Sequence, residues 1–134
     1  MGRPTGQVRV QSLKNQAVIA DQCIVANRFF SRLKGLMGTS RLAPGEGLLL
    51  TPCNDIHMWF MRIAIDVVFV RPLAPSATGG AAGGATHEVC STREDLRPWR
   101  PLPVRDGRAR ETLELPAGTV RRCGISAGDQ LCIS

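Results

Sequence analysis

The chain has 134 residues, a length that fits one domain with its own hydrophobic core. Its hydrophobic content of 43% is typical of a globular protein, and no apolar run approaches the roughly 20 residues that a membrane helix requires. The net charge is +6, but the arginines are scattered, apart from a loose group over 93–110, and aromatic residues make up only 4%. We therefore expect a solvated basic surface, with no membrane association and no nucleic-acid binding.

The N-terminus carries no secretion signal, so a cytoplasmic location is expected. The five cysteines have long spacings and an odd number, which favours reduced thiols over a disulfide framework. Cys23, Cys123 and Cys132 lie in apolar stretches, where a cysteine is usually a small core residue.

The chain begins with short strands that are followed by a helix. Residues 1–7 are polar and predict a flexible tail, and the apolar runs 8–10, 17–20 and 23–26 predict two or three strands. Asn27 is predicted to cap a short helix. The apolar face of that helix comprises Phe29, Leu33, Leu36 and Met37, a pattern typical of core packing.

Residues 48–70 form the most informative stretch of the chain. A short buried strand is predicted at 48–50, and a second strand at 63–70, whose nearly continuous apolar sequence indicates cover on both faces. The connection between the strands, together with the second strand itself, concentrates reactive side chains: Cys53, His57, Met58, Trp59, Met61, Arg62 and Asp66. A functional site is expected here.

The second half of the chain continues the strand pattern. Residues 72–86 are rich in Gly and Ala and predict a flexible loop between two strands, whereas the prolines make 96–103 irregular. Alternation predicts a strand at 109–115, and the apolar runs 120–125 and 130–133 predict the last strands. The fold is predicted to be mainly β: a single-domain β-sandwich or barrel-like fold over residues 8–134, with one or two short helices.

Several segments, taken in order, resemble the DUF192 family. They are residues 32–37, 47–50, 52–57, 61–62, 65–70, 96–100, 113–119, 124–125 and 128–129. The resemblance implies a compact, mostly β fold and no particular reaction, because the family has none assigned. The chain departs from the family pattern at Met58, at Ile63-Ala64 and in the longer segment 72–86.

The favoured hypothesis is a small non-enzymatic β-domain that binds a small polar or anionic ligand or acts as an accessory protein. Its predicted ligand-binding residues are His57, Met61, Arg62, Asp66, Trp99 and Arg100, with Cys53 at the edge, because these polar groups converge on an apolar scaffold. Two alternatives are purely structural. Asp66 would stabilise the fold by pairing with Arg100 or by accepting backbone N–H groups, and Trp99-Arg100 would plug one end of a barrel.

Two further alternatives assign chemistry to the same stretch. A thiol-dependent hydrolase would use Cys53 as nucleophile, His57 as base and Asp66 to orient the imidazole. A zinc or copper protein would use Cys53 and His57 as half of a metal site, with His87 and Cys90 as the other half. A hydrogen-bonded histidine and a buried thiol explain these residues without chemistry, so neither a catalytic role nor a cofactor is predicted. The sequence predicts no specific protein partner.

Overall fold

Nine strands and one short helix run through the residues that the computed structural model describes, which are 6–26, 41–58, 61–73 and 84–134. The elements in chain order are β1 (Gln7–Ser12), β2 (Val18–Ala26), β3 (Glu46–Leu50), β4 (Asp55–Ile56), β5 (Ile65–Pro72), β6 (Ala85–Leu96), β7 (Val104–Arg105), β8 (Glu111–Pro116), α1 (Thr119–Cys123) and β9 (Gln130–Ile133). The helix predicted after Asn27 lies outside the described residues, as does Trp59.

Seven of these strands form a closed barrel in the order β1-β2-β3-β8-β5-β6-β9. Neighbours are antiparallel except β2 and β3, which are parallel, as the long connection between them allows. The barrel closes because β1 pairs with β2 along one edge and with β9 along the other. The predicted mainly β, barrel-like fold is thus confirmed.

The barrel interior is filled by alternate residues of its strands. On β5, Val68 and Val70 face the interior, and on β8 Leu113 and Leu115 lie beside them. Aliphatic side chains of this kind, each contributing about 1.5–3 kcal/mol on complete burial, supply most of the stability of such a core. The interior cluster comprises Val10, Ile19, Ala20, Cys23, Leu49, Val68, Val70, Val89, Leu113, Leu115, Val120, Cys123, Ile125, Leu131 and Ile133.

A second apolar layer covers the outer face of the barrel at β3, β5 and β6. Here β4 pairs with β7, and this small sheet contributes Ile56 and Val104 to a cluster that contains Val67 and Phe69 of β5. Strand β5 is therefore buried on both faces, as its nearly continuous apolar sequence predicted.

The prediction of a strand at 120–125 was wrong, because Thr119–Cys123 form the helix α1. Gly118 and Gly124 adopt left-handed backbone conformations at its two ends, with φ of 94° and 67°. The carboxylate of Asp66 accepts hydrogen bonds from the backbone N–H groups of Gly118 and Val120 at 3.0 and 2.9 Å, which satisfies amides at the start of the helix. These partners are remote in sequence, so the local pattern carried no sign of them.

Two antiparallel strands flank the segment 72–86 that was predicted as a loop, since Pro72 of β5 pairs with His87 of β6. The strands extend into the predicted loop as far as Pro72 and from Ala85, and residues 74–83 lie outside the described part of the chain. Similarly, β1 begins at Gln7, within the predicted tail. Among the described residues, no helix has the length and apolarity needed to cross a bilayer.

Candidate functional site

Residues 53–58 and 99–106 lie side by side in the outer layer. The backbone N–H of Trp99 donates to the carbonyl of Met58 at 2.8 Å, and further along the same two segments β4 pairs with β7. Two segments that the sequence analysis assigned to one site are therefore neighbours in the structure.

The side chains on these segments do not converge. His57 is half-buried and Met61 belongs to the outer apolar cluster, whereas Arg62, Trp99 and Arg100 are exposed to solvent, the indole by 60%. None of these five residues lines either of the two cavities described below. The structure thus places them along the outer layer, with Met61 in a packing position.

Asp66, the sixth predicted ligand-binding residue, is completely buried at the start of β5. Besides the two amides at the start of α1, its carboxylate accepts a hydrogen bond from the backbone N–H of Asp95 at 2.9 Å. A carboxylate with several N–H donors is well satisfied in the interior. Asp66 therefore connects β5 to the end of β6 and to the start of α1 by hydrogen bonds. This is the structural role that the sequence analysis offered as an alternative to ligand binding.

The described hydrogen bonds of Cys53 involve residues other than Asp66. The Cys53 thiol donates to the carbonyl of Asp55 at 3.2 Å, and the Cys53 carbonyl accepts a hydrogen bond from the Thr112 hydroxyl at 2.9 Å. The Nδ1 atom of His57 is shielded from solvent. Since the described hydrogen bonds of the Asp66 carboxylate go to backbone amides, the geometry gives no support to Asp66 as the group that orients an imidazole.

The two pairs of residues considered as metal ligands, Cys53 with His57 and His87 with Cys90, do not form one metal site in the described part of the chain. His87 bonds through Nε2 to Glu111 Oε1 at 2.6 Å, and Cys90 is buried in the outer apolar cluster. Within the described ranges, His, Cys, Asp and Glu side chains form no group of three or more that could hold a metal ion. Nothing in this part of the chain therefore supports a zinc or copper centre built on Cys53 and His57.

A cavity of about 530 Å³ opens where β3 and β5 end and β8 begins. Its lining consists of Thr51, Pro52, Arg71, Pro72, Arg108, Arg110 and Glu111, and we call it the arginine pocket. Its volume lies in the range of small-molecule sites, and three guanidinium groups supply donors on its walls. The arginine pocket is therefore the strongest candidate site in the described part of the chain.

Two of the three guanidinium groups are held in place by carboxylates. Arg71 donates through Nε and Nη2 to Glu88 Oε1 at 3.2 and 2.8 Å. Arg108 donates through Nε to Asp106 Oδ1 at 3.1 Å and through Nη2 to Asp106 Oδ2 at 2.9 Å. These paired bonds restrict the arginine rotamers, which leaves less entropy to be lost when a ligand binds.

Asp106 is itself firmly positioned. Its carboxylate also accepts hydrogen bonds from the Ser91 hydroxyl at 2.6 Å and from the backbone N–H of Arg108 at 2.9 Å. The guanidinium of Arg108, followed by the Ser91 hydroxyl, holds the pKa of Asp106 well below its usual value. The carboxylate is therefore ionised at neutral pH and keeps Arg108 at the wall of the pocket.

Among the described residues that line the arginine pocket, the acidic one is Glu111. The hydrogen bond with His87, and then one with Thr51, lowers the pKa of Glu111 below its usual value, against the effect of burial. Glu111 is thus a carboxylate at neutral pH, so the hydrogen of the short bond is on His87 Nε2. The pocket consequently offers both donors and a negatively charged acceptor.

A second cavity, of about 430 Å³, lies at the α1 end of the barrel. It is lined by Asp66, Glu94, Asp95, Ala117, Gly118 and Arg121. The acidic groups here are engaged: Asp66 by backbone amides, Asp95 by Arg97 at 3.0 Å and Glu94 by Arg121 at 4.0 Å. This cavity therefore offers fewer groups for ligand recognition than the arginine pocket does.

Glu114 is an unusual residue of β8. It pairs with Leu48 of β3 and Val67 of β5, so its side chain lies among apolar residues, and it is only 5% exposed. Its Oε2 forms no hydrogen bond within the described part of the chain. Burial raises the pKa of Glu114 to about 7, which keeps a large fraction of this carboxyl group protonated near neutral pH.

The sequence analysis did not identify the arginine pocket. Arg108 and Arg110 belong to the basic group over 93–110, which was interpreted as solvated surface, and Arg71 lies near the end of the buried strand β5. The pairing of Val70 with Glu111 brings these arginines together. Only the register of β5 against β8 could have revealed the pocket.

Comparison with known proteins supports the fold and the resemblance. Residues 10–74 match the sequence profile of DUF192, described as an uncharacterized ACR family. A UPF0127 protein of Thermococcus sibiricus (strain DSM 12597 / MM 739) is 31% identical over 111 residues, which are 80% of this chain and 62% of that relative. The chain thus spans less than two thirds of the length of this relative.

Two solved structures share the fold. A candidate transcription regulator from Sinorhizobium meliloti 1021 has a TM-score of 0.71 at 24% identity, covering 97% of this chain and 96% of its own. A protein of unknown function from Novosphingobium aromaticivorans DSM 12444 has a TM-score of 0.70 at 21% identity, covering 98% and 90%. At these identities the likeness concerns the fold.

The closed barrel and its covered outer face define a small β-barrel fold that this chain shares with both solved structures. Residues 10–74 of this chain resemble the DUF192 family, and the chain is similar to a UPF0127 protein.

Proposed function

We propose that this protein is a non-catalytic β-barrel domain that binds a small polar or anionic ligand in the arginine pocket. The observation that carries the proposal is the convergence of Arg71, Arg108 and Arg110 on one cavity of about 530 Å³. Guanidinium groups are well suited to carboxylate and phosphate groups because their planar donors match two oxygen atoms at once.

Preorganisation of the walls supports this function. The bonds from Arg71 to Glu88 and from Arg108 to Asp106 hold two guanidinium groups before any ligand arrives. Among the described residues, Arg110 forms no ion pair, so its charge is available to a ligand. Arg110 is therefore the residue whose replacement should affect binding most.

Titration of ¹⁵N-labelled protein with succinate and with inorganic phosphate, followed by NMR, tests the proposal. We expect shifts in the amides of Arg110, Glu111 and Thr51, and an affinity that falls about tenfold in Arg110→Gln, the loss of one charge-assisted hydrogen bond. Arg122→Gln is the matched control, because Arg122 is exposed on α1 at the other end of β5. Equal affinities in the wild type, Arg110→Gln and Arg122→Gln would contradict the proposal.

A further inference from the structure

We propose that the arginine pocket selects ligands that carry a cationic hydrogen-bond donor as well as an anionic group, that is, small zwitterions. The inference rests on the proposed function and specifies its ligand class. It depends on Glu111, which among the described residues is the one carboxylate that lines the cavity, beside three arginines.

The charges around the pocket are balanced. Glu88 neutralises Arg71 and Asp106 neutralises Arg108 across short contacts. The charged lining residues that remain are Arg110 and Glu111, one of each sign. A cavity of this kind has donors for an anion on its walls without a strong excess of positive charge.

A purely anionic ligand would meet an unfavourable group in this cavity. The pKa of Glu111 is below its usual value, so the side chain is ionised at neutral pH and repels a second anion placed beside it. The same ligand would also remove water from Glu111 without replacing the lost hydrogen bonds. A ligand with an ammonium or similar group next to its anionic group avoids both costs.

Glu111 retains the capacity to accept such a donor. A carboxylate has about four acceptor positions on its two oxygens. His87 bonds to Oε1 at 2.6 Å and Thr51 supplies a second side-chain hydrogen bond, so about two acceptor positions remain on a carboxylate that lines the cavity. The arrangement therefore pairs a fixed acceptor, Glu111, with the donors of Arg110.

Matched pairs of small molecules that differ by one ammonium group test the inference. The probes are L-aspartate against succinate, and phosphoethanolamine against ethyl phosphate, each titrated into ¹⁵N-labelled protein at pH 7. We expect the zwitterionic member to bind about tenfold more tightly in each pair, the effect of one charge-assisted hydrogen bond.

Variants separate the inference from the proposed function. In Glu111→Gln the preference within each pair should disappear, while Glu94→Gln, at the other cavity, should retain it. Arg110→Gln should weaken both members of each pair and leave their ratio unchanged, which gives a test that does not depend on the fold tolerating a change at Glu111. Circular dichroism and thermal melting establish that each variant is folded.

Equal affinities within both pairs in the wild-type protein would overturn the zwitterion inference and leave the proposed anion site intact. Persistence of the preference in a folded Glu111→Gln variant would also overturn it. Failure of all four molecules to bind would overturn the proposed function and the inference together.

Discussion

The carboxylate of Asp66 accepts a hydrogen bond from the backbone N–H of Val120 at 2.9 Å, although 54 residues separate the two in the chain. Together with its bonds to Gly118 and Asp95, this contact connects the start of a central strand to a helix and to the end of a third element. The residue that the sequence placed at the centre of a site thus stabilises one end of the barrel.

Replacement of Asp66 is expected to destabilise the protein without acting on the arginine pocket. In Asp66→Asn an amide NH₂ replaces one acceptor oxygen and faces backbone N–H donors, so we expect a loss of about 2–3 kcal/mol in the free energy of unfolding, measured with urea. Asp55→Asn is the control, because Asp55 is exposed on β4. A stable Asp66→Asn protein with impaired ligand binding would instead support Asp66 as a ligand-binding residue.

Glu114 is expected to make the protein less stable as the pH rises. Its pKa in the folded state is about 7, against 4.5 for the ordinary carboxyl group, so the folded protein retains a proton that the unfolded chain releases. The stability that depends on this proton is complete below about pH 4.5 and is lost as the pH rises towards 7, by about 3 kcal/mol in all.

Comparison of wild type and Glu114→Gln by urea unfolding between pH 4.5 and 8 checks this effect. The amide cannot ionise, so the stability of Glu114→Gln relative to wild type should increase steadily with pH. Other titrating groups are common to both proteins and cancel in the difference. A difference that is independent of pH would contradict the assignment of a raised pKa to Glu114.

Asp106 should have the opposite pH dependence. Its folded-state pKa is held below the usual value of 3.8 by Arg108, so its contribution to stability is present above that pH and is lost on acidification. We expect Asp106→Asn to be less stable than wild type at pH 7 and the difference to shrink as the pH falls below 3. Asp95→Asn is a suitable control, because the ion pair of Asp95 with Arg97 is exposed and of little energetic value. An Asp106→Asn deficit that is as large at pH 2 as at pH 7 would contradict this prediction.

The cysteines should differ in reactivity. Burial raises the pKa of Cys23 to about 12 and also raises the pKa of Cys90, whereas Cys53 and Cys132 are only half-buried. Because the thiolate is the reactive species, iodoacetamide at pH 8 should label Cys53 and Cys132 before Cys23 and Cys90, as followed by peptide mass spectrometry.

Labelling in urea provides the control, since all five thiols should then react at similar rates. Equal labelling of Cys23 and Cys53 in the native protein would contradict the burial seen in the structure. The His57→Ala variant extends this experiment to the hydrolase alternative. A Cys53 rate that falls sharply in this variant would revive that alternative, whereas an unchanged rate agrees with a thiol that bonds to the Asp55 carbonyl.

Much of the fold was predictable because it is encoded locally. The stretch over 63–70 lacks the alternation of a half-exposed strand, and β5 is indeed covered on both faces. The helix α1 was not predictable, because its short apolar run also suits a strand and its N-terminal amides are satisfied by Asp66, far away in sequence. Long-range hydrogen bonds of this kind override a local pattern.

The candidate site was less predictable than the fold. The sequence analysis predicted a site around His57 because reactive side chains are concentrated in one stretch. Residues that are close in sequence on a strand or turn need not face the same side. The arginine pocket arises from the opposite situation, in which Arg71 and Arg110 are remote in sequence and are brought together by the register of β5 and β8. The register of these strands depends on the whole barrel, so it could not be predicted from the sequences of single segments.

The pairing of β9 with both β1 and β6 also has a consequence for biosynthesis. A nascent chain can form the hairpin of β5 and β6 early, but β1 and β6 each keep an unpaired edge until residues 130–133 have left the ribosome. Exposed strand edges promote association between chains. Translation of this protein therefore passes through an interval in which most of the apolar interior has been synthesised while the barrel is still open, and pauses before residues 130–133 emerge would prolong it.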